Sequence, residues 1–249
     1  MQPPSLNGKV VFITGGSRRV GATVCRHLHA NGMNLVIHYR SSKDDALALQ
    51  TELQRERPDS VALLQGDLLD YPHLEILAQG AAQAFGCLDV LLNNASSFYP
   101  TPIGQATEKQ WDDLLGTNLK APFFLSQAMA PYLKRSNGCI VNMADVHAER
   151  PLKNYPIYSA AKAGLVMLTK SLARELGPEV RVNAIAPGTI LWPEHDLDDT
   201  IKAQILERVP QKRSGEPMDI ARTVLFLIRD AQYISGQVIA VDGGRSVVA

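Results

Sequence analysis

The chain contains 249 residues, 45% of them hydrophobic, so it can bury a sizeable core and falls within the size range of one α/β domain. Its 25 basic and 25 acidic side chains cancel, which gives no electrostatic reason to expect a nucleic acid or an anionic membrane as partner. We therefore expect one domain over residues 1–249 that acts on a small molecule.

Cysteine and histidine usage indicates a reducing compartment and no metal. Cys25, Cys87 and Cys139 are odd in number and far apart, and the six histidines lack metal-ligand spacing. The stretch from Met1 to Lys9 is polar, and no apolar run approaches the roughly 18 residues of a membrane span. A cytoplasmic protein without a membrane partner is predicted.

Short apolar runs alternate along the chain with longer segments of helical periodicity, which is typical of βαβ units that build a parallel sheet. The predicted strands are Val10–Thr14, Leu35–Tyr39, Val61–Gln65, Leu88–Asn93, Cys139–Met143, Val180–Ala186 and Val238–Val241. The predicted helices lie near Arg19–Asn31, Lys43–Arg57, Tyr71–Phe85, Thr117–Lys134, Ile157–Leu176 and Met218–Ile228. This pattern fits an α/β fold with a doubly wound, Rossmann-type parallel sheet of about seven strands.

The first predicted strand runs into a glycine turn that opens the first helix. Such a turn lets the backbone approach a pyrophosphate, and the helix N-terminus presents N–H groups and the positive end of its dipole. The spacing of Gly15 and Gly21 differs from the G-x-G-x-x-G fingerprint, and glycine turns also occur for structural reasons alone. The expected cofactor contacts here are Gly15, Ser17, Arg18, Arg19, Val20 and Gly21.

The second predicted strand ends without the acidic residue that usually binds the adenosine ribose diol of NAD. It ends instead in His38-Tyr39-Arg40-Ser41, and these four residues are expected cofactor contacts. Arg40, with Ser41 and an arginine of the glycine turn, is suited to bind a 2′-phosphate through charge-assisted hydrogen bonds. The alternative is that these are solvated loop arginines. The pattern favours NADPH over NADH.

Two further strand ends are candidates for cofactor contacts. After the third strand, Asp67 and Leu68 are placed to hold the adenine edge. After the fourth, Asn94 and Ala95 are placed along the ribose and the nicotinamide. Either group could equally be an ordinary turn.

Tyr158 and Lys162 form a Tyr-x-x-x-Lys pair one turn apart on a predicted helix. A lysine cation beside a phenol lowers the pKa of the phenol, which suits a group that exchanges a proton near neutral pH. Chance pairs of this kind are common on helices. The stretch after the sixth strand, residues 188–200 and extending to about 212, is irregular and is predicted to be a substrate loop.

Taken together, these motifs resemble the short-chain dehydrogenase/reductase family over essentially the whole chain. The matching motifs include Thr14-Gly15-x3-Arg19-x-Gly21, Asn93-Asn94-Ala95, Asn118, Tyr158-x3-Lys162, Pro187-Gly188 and Val241-Asp242-Gly243-Gly244. The resemblance implies that Tyr158 is the proton donor, that Lys162 binds the nicotinamide ribose and supports Tyr158, and that Asn118 positions a water. It also implies a dimer or tetramer, and we expect a homotetramer.

One position departs from the family pattern. The family normally has a serine about 13 residues before the tyrosine, where it holds a substrate carbonyl, and this chain has Asp145. A carboxylate cannot donate a hydrogen bond to a carbonyl and would repel a developing oxyanion. It is better suited as a catalytic residue toward a basic nitrogen heterocycle, where it can accept hydrogen bonds from N–H groups or help to deliver a proton to a ring nitrogen. This favours reduction of C=N over C=O.

Asp145 and the segment from Asn94 to Pro102 make the chain resemble the pteridine reductases within this family. That resemblance implies an oxidised or 7,8-dihydro pterin, or a folate, as substrate, with Phe98 stacked on the pterin. The substrate contacts it implies are Arg19, Ser96, Phe98, Asp145, Tyr155, Tyr158, Leu191 and Trp192. The further cofactor contacts are Ser96, Met143, Tyr158, Lys162, Pro187, Gly188, Thr189 and Ile190.

Two other functions remain open at this point. One is a carbonyl or 3-oxoacyl reductase of the same family, in which Asp145 merely replaces the serine. The other is a non-catalytic NADPH sensor that lost its chemistry with that serine. The second is disfavoured because Tyr158, Lys162 and Asn118 are all present.

Overall fold

In a computed structural model, which describes residues 4–191 and 198–248, seven parallel strands form one sheet. The strand order is β3-β2-β1-β4-β5-β6-β7. The strands are β1 Val10–Ile13, β2 Asn34–Tyr39, β3 Val61–Gln65, β4 Val90–Asn93, β5 Cys139–Met143, β6 Arg181–Pro187 and β7 Val238–Val241. All seven predicted strands are confirmed, with ends that shift by at most two residues, and so is the α/β class.

Helices cover both faces of this sheet, because its strands alternate apolar side chains to either side. The helices are α1 Arg19–Ala30, α2 Lys43–Glu56, α3 Leu74–Ala84, α4 Glu108–Leu115, α5 Ala121–Ser136, α6 Pro156–Leu176, α7 Asp199–Glu207 and α8 Pro217–Arg229. Val11 and Ile13 of β1 pack in a core with residues of α1, α2 and α8. Val10 and Phe12 pack in a second core with α3, α5 and α6. A sheet buried on both sides explains why the strands are continuous apolar runs.

Three helical segments differ from the prediction. Helix α4 was missed, although Thr107 and Gln110 form a capping box at its start, with each side chain bonded to the other's backbone N–H. The helix predicted from residue 117 begins as a π-helical turn over Gly116–Lys120 and continues as α5. Helix α7 lies within the predicted loop of residues 188–212, where Asp198 caps it by accepting a hydrogen bond from the Thr200 amide.

The topology brings the predicted site residues to one edge of the sheet. Strand β1 pairs with β2 on one side and with β4 on the other. The crossovers to β2 and β3 therefore run one way along the sheet, and the crossover to β4 runs the other way. Such a switch of direction opens a crevice at the carboxyl ends of the strands. Among the described residues, no helix has both the length and the apolar character to cross a bilayer.

Candidate active site

A cavity of about 500 Å³ opens at the carboxyl ends of the strands beside the glycine turn. Its size is within the usual range of ligand pockets. It is lined by most of the residues predicted to bind cofactor or substrate, namely Gly15, Ser17, Arg18, Arg19, Val20, Gly21, His38, Tyr39, Arg40, Ser41, Asp67, Leu68, Asn94, Ala95, Ser96, Met143, Asp145, Tyr158, Pro187, Gly188, Ile190 and Leu191.

The other predicted site residues lie next to this lining, with one exception. Four of them contact or adjoin a residue that lines the cavity, namely Phe98, Asn118, Lys162 and Thr189, and the fifth, Tyr155, stacks on Phe98. The exception is Trp192, which lies outside the described residues.

Three cavity residues were not predicted. Ser42 and Ser97 directly follow predicted serines, so extending each polar run by one position would have found them. Thr117 lies in the π-helical turn, and a helical pattern alone gives no sign that this turn reaches the cavity.

The glycine turn is built without side chains where the backbone is most crowded. Gly15 has a φ of +60°, and a Cβ on Gly21 would lie 2.6 Å from the Gly15 carbonyl oxygen. Only glycine tolerates both conditions. Helix α1 then starts with no side-chain hydrogen bond at its N-cap, Arg18. Its first turn therefore presents backbone N–H groups, which are suited to a phosphate, toward the cavity.

His38 holds this turn against the neighbouring strands. Its Nδ1 lies 3.3 Å from the Gly15 amide, which donates to it, and its Nε2 donates to the Gly66 carbonyl oxygen at 3.1 Å. These partners require a neutral ring with the proton on Nε2. Burial lowers the pKa of His38 to about 4, so the ring stays neutral at physiological pH. Both ring nitrogens therefore support the turn.

The end of β2 places cationic and hydroxyl groups around the cavity wall. Arg40 and Ser41 line it, and Ser17 and Ser42 lie with their hydroxyl oxygens 2.7 Å apart. Arg18 Nε lies 3.8 Å from Asp45 Oδ2. Together with the uncapped α1 terminus, this arrangement fits the phosphate groups of a nucleotide cofactor.

Tyr158 and Asp145 meet directly at the inner end of the cavity. The Tyr158 hydroxyl donates to Asp145 Oδ2 at 2.7 Å, and Asp145 Oδ1 accepts from the His147 amide at 2.8 Å. Because both carboxylate oxygens are bonded, the orientation of the Asp145 side chain is determined.

The expected lowering of the Tyr158 pKa is wrong. Burial raises that pKa well above its usual value, and the charge and the accepting hydrogen bond of Asp145 raise it further. The lysine does not reverse this effect, since Lys162 Nζ lies 5.6 Å from the centre of the Tyr158 ring. Tyr158 is thus held as a phenol, the form that a proton donor requires.

Lys162 is a fully buried cation whose ammonium group donates to the Met143 carbonyl oxygen at 2.8 Å. Burial lowers its pKa to about 8, although the nearby charge of Asp145 acts in the opposite direction. The ammonium therefore loses its proton in a pH range that is accessible to experiment.

Asn118 connects the π-helical turn to the loop after β4. Its Nδ2 donates to the carbonyl oxygens of Ser97 and Leu114, both at 2.9 Å, and its Oδ1 accepts from the Ser96 hydroxyl at 2.6 Å. These three bonds determine which way the amide points. Asn118 lies in the π-helical turn, a departure from regular helix geometry of a kind that is frequent at functional sites.

An aromatic cluster stands beside Tyr158. Phe98 stacks on Tyr155, with ring centres 4.6 Å apart and an angle of 15° between the planes. It also meets the Tyr158 ring edge to face at 4.8 Å. Phe98 is nonetheless 48% exposed, so it offers aromatic surface that a flat ligand could cover.

Comparisons with known proteins agree with this geometry at the level of the family. The family model described as "Enoyl-(Acyl carrier protein) reductase" matches residues 15–246. The chain is 38% identical over 240 residues to 3-oxoacyl-(acyl-carrier-protein) reductase FabG of Staphylococcus aureus, and the match covers 95% of this chain and 97% of that protein. It is 33% identical over 244 residues to the protein of that name from Thermotoga maritima, with 96% and 98% covered.

A relative with a different name is also similar. Pteridine reductase 1 of Leishmania tarentolae is 32% identical over an alignment of 279 positions, with 96% of each chain covered. These names describe different substrates on one framework, so they identify the family and the reductase chemistry with a nicotinamide cofactor. The chain is an oxidoreductase of the short-chain dehydrogenase/reductase family, and it resembles the pteridine reductases within that family.

Proposed function

We propose that this protein reduces pterins, in the oxidised or the 7,8-dihydro form, with NADPH. The observation that carries the proposal is the hydrogen bond of 2.7 Å between the Tyr158 hydroxyl and the Asp145 carboxylate. It places an acceptor of N–H bonds beside a phenol that stays protonated. A pterin ring offers both partners, because its N–H groups can bind Asp145 and its ring nitrogen can take the proton of Tyr158.

Each group of site residues has a role in this proposal. When bound, NADPH supplies the hydride that a ring carbon receives. Tyr158 donates a proton to the adjacent nitrogen, Asp145 orients the heterocycle, and Phe98 stacks on one of its faces. The Lys162 ammonium binds the nicotinamide ribose, and Asn118 holds the surrounding loop in place. The glycine turn and Arg40 bind the phosphates.

Carbonyl reduction of 3-oxoacyl thioesters is the second candidate. It is favoured by the higher overall identity to the Staphylococcus aureus reductase, 38% against 32% for the Leishmania pteridine reductase. Overall identity is dominated by the many residues that build the sheet and its cores, whereas the substrate contacts few of them. Asp145 argues against this candidate, since a carboxylate repels the oxyanion that forms on a reduced carbonyl.

A substrate comparison tests the proposal. NADPH oxidation is measured with biopterin, dihydrobiopterin, dihydrofolate and acetoacetyl thioesters at matched concentrations. We expect kcat/KM for at least one pterin or folate to exceed that for the thioester by about 100-fold, the scale of losing one preorganised electrostatic partner. Turnover of the thioester without turnover of any pterin would replace the first candidate by the second.

Arg40 provides a test of cofactor choice. Its guanidinium lines the cavity at the end of β2, where it is suited to the 2′-phosphate. Arg40→Ala should raise KM for NADPH by about 10- to 100-fold, the range for one hydrogen-bonded charge pair, and change KM for NADH less than threefold. Arg55→Ala, an exposed arginine of α2, is the matched control. An equal rise for both cofactors would contradict the phosphate contact.

The pKa of Lys162 predicts the pH at which activity falls on the alkaline side. The ammonium is needed for cofactor binding and has a pKa of about 8, so kcat/KM for NADPH should be fully present below that pH and fall as the pH rises through it. Tyr158 cannot cause this fall, because its pKa is raised well above 10. In Lys162→Arg, which stays charged, the remaining activity should show no fall near pH 8. A fall that persists in this variant would belong to another group.

A further inference from the structure

The side chain of Ser96 lies between two groups of the proposed mechanism. Its hydroxyl donates to Asn118 Oδ1 at 2.6 Å. Ser96 also lines the same cavity as Tyr158, and its hydrogen-bonding interaction lowers the pKa of the Tyr158 hydroxyl, against the larger effect of burial. Ser96 follows β4 in the chain, whereas Tyr158 lies in α6. Only the tertiary structure brings the two hydroxyl groups together.

The surroundings of Asn118 determine which way the Ser96 proton points. Both protons of Asn118 Nδ2 are donated to carbonyl oxygens, those of Ser97 and Leu114. Asn118 therefore turns its own oxygen toward Ser96, and this oxygen can only accept. In this state the Ser96 hydroxyl must be the donor.

The state of Tyr158 decides whether Ser96 has a better acceptor. While Tyr158 is protonated, its own hydrogen goes to Asp145 Oδ2. Once the phenol loses that proton, its oxygen carries a negative charge and accepts hydrogen bonds more strongly than an amide oxygen does. A serine hydroxyl changes acceptor by rotating about one bond.

We propose that Ser96 is a switchable donor, which bonds to Asn118 while Tyr158 is protonated and to the Tyr158 oxygen once the phenol has given up its proton. No covalent bond of Ser96 breaks in this step. The Tyr158 O–H bond breaks as its proton bonds to the substrate nitrogen, and the phenolate takes a proton from water when product leaves. Ser96 from another strand end thus supplies the hydroxyl that position 145 lacks.

The inference rests on the proposed role of Tyr158 but not on the identity of the substrate. It is tested in single turnovers with saturating NADPH and whichever substrate, pterin or acetoacetyl thioester, the wild-type protein reduces. Ser96→Ala should slow the step by about 10- to 100-fold, the range for losing a hydrogen bond to a charged group. Ser96→Thr, which keeps the hydroxyl, should restore the rate to within about fivefold.

A serine outside the cavity is the matched control. The Ser136 hydroxyl donates to the Leu88 carbonyl oxygen at 2.7 Å, and Ser136 does not line the cavity. Ser136→Ala should therefore slow the step less than threefold. A loss in Ser136→Ala as large as that in Ser96→Ala would mean that the loss of any such hydroxyl disturbs the protein, and would overturn the proposal.

A double-mutant cycle separates the switch from a structural role. In a Tyr158→Phe background no phenolate forms, so Ser96→Ala should change the residual rate less than twofold. An equal loss in both backgrounds would overturn the switch, as would an unimpaired Ser96→Ala.

The switch also has a test without turnover. In the Asp145→Asn background the carboxylate no longer raises the pKa of Tyr158, and the titration can be followed by the ¹³Cζ NMR signal assigned through Tyr158→Phe. In this background, Ser96→Ala should raise the pKa of Tyr158, because the phenolate loses a hydrogen-bond donor. An unchanged pKa would contradict the inference. Because this test needs no turnover, it still applies if the protein reduces neither substrate, a result that would contradict only the proposed function.

Discussion

Replacing Tyr158 with phenylalanine should lower kcat by about 100- to 10,000-fold, the range for removing a positioned proton donor. The Tyr158 hydroxyl is bonded to Asp145 and held in its protonated form, so it is the group in the described cavity most suited to give a proton. Nucleotide binding should change little, because the glycine turn and the end of β2 are untouched. Steady-state kinetics and fluorescence titration with NADPH measure the two effects.

A second tyrosine provides the matched control for this result. The Tyr99 hydroxyl also donates to an aspartate, Asp113 Oδ2, at 2.8 Å, but neither residue lines the cavity. Tyr99→Phe removes the same kind of hydrogen bond and should leave kcat within threefold. If Tyr158→Phe kept more than a tenth of the activity, Tyr158 would not be the proton donor.

Replacing Asp145 with serine should exchange the substrate preference. The carboxylate that binds N–H groups is lost, so kcat/KM for pterins should fall by about 100- to 1,000-fold, as for the loss of one preorganised partner. The serine can donate to a carbonyl oxygen, and kcat/KM for acetoacetyl thioesters should rise. The introduced serine can also accept the hydrogen bond of the His147 amide, so the backbone conformation of this turn should be kept.

Asp113→Ser is the control for this exchange, since it breaks the tyrosine–aspartate bond outside the cavity. It should leave the ratio of the two kcat/KM values unchanged. If Asp145→Ser lowered both activities by the same factor, Asp145 would act on the structure of the site and not on substrate choice. Asp145→Asn separates the effect of the charge from the effect of side-chain size, because it removes the charge and keeps the size.

Local patterns were sufficient for most of the fold. Continuous apolar runs predicted the buried strands because a parallel sheet covered on both faces needs apolar side chains on each. The capping box of α4 was a readable signal that was missed, whereas the π-helical turn before α5 had none, since its sequence is also compatible with an ordinary helix. Helix α7 was not predicted, because its part of the sequence lacks clear apolar periodicity.

The sequence by itself determined the family, the position of the glycine turn and the identity of the groups at the site, including the carboxylate at position 145. These features depend on residue types and on spacings along the chain, which the topology of the fold converts into one cavity. The aspartate narrowed the chemistry because the presence of a carboxyl group where the family has a hydroxyl depends on residue type alone.

Only the tertiary structure decided how those groups act on each other. The pKa of Tyr158 was expected to fall because of Lys162, but it rises, because burial and a carboxylate 2.7 Å away outweigh a cation held against the Met143 carbonyl oxygen. The contact between Ser96 and Asn118 likewise joins positions 22 residues apart. Electrostatic effects depend on distance and on exposure to water, and neither quantity can be read from spacing along the chain.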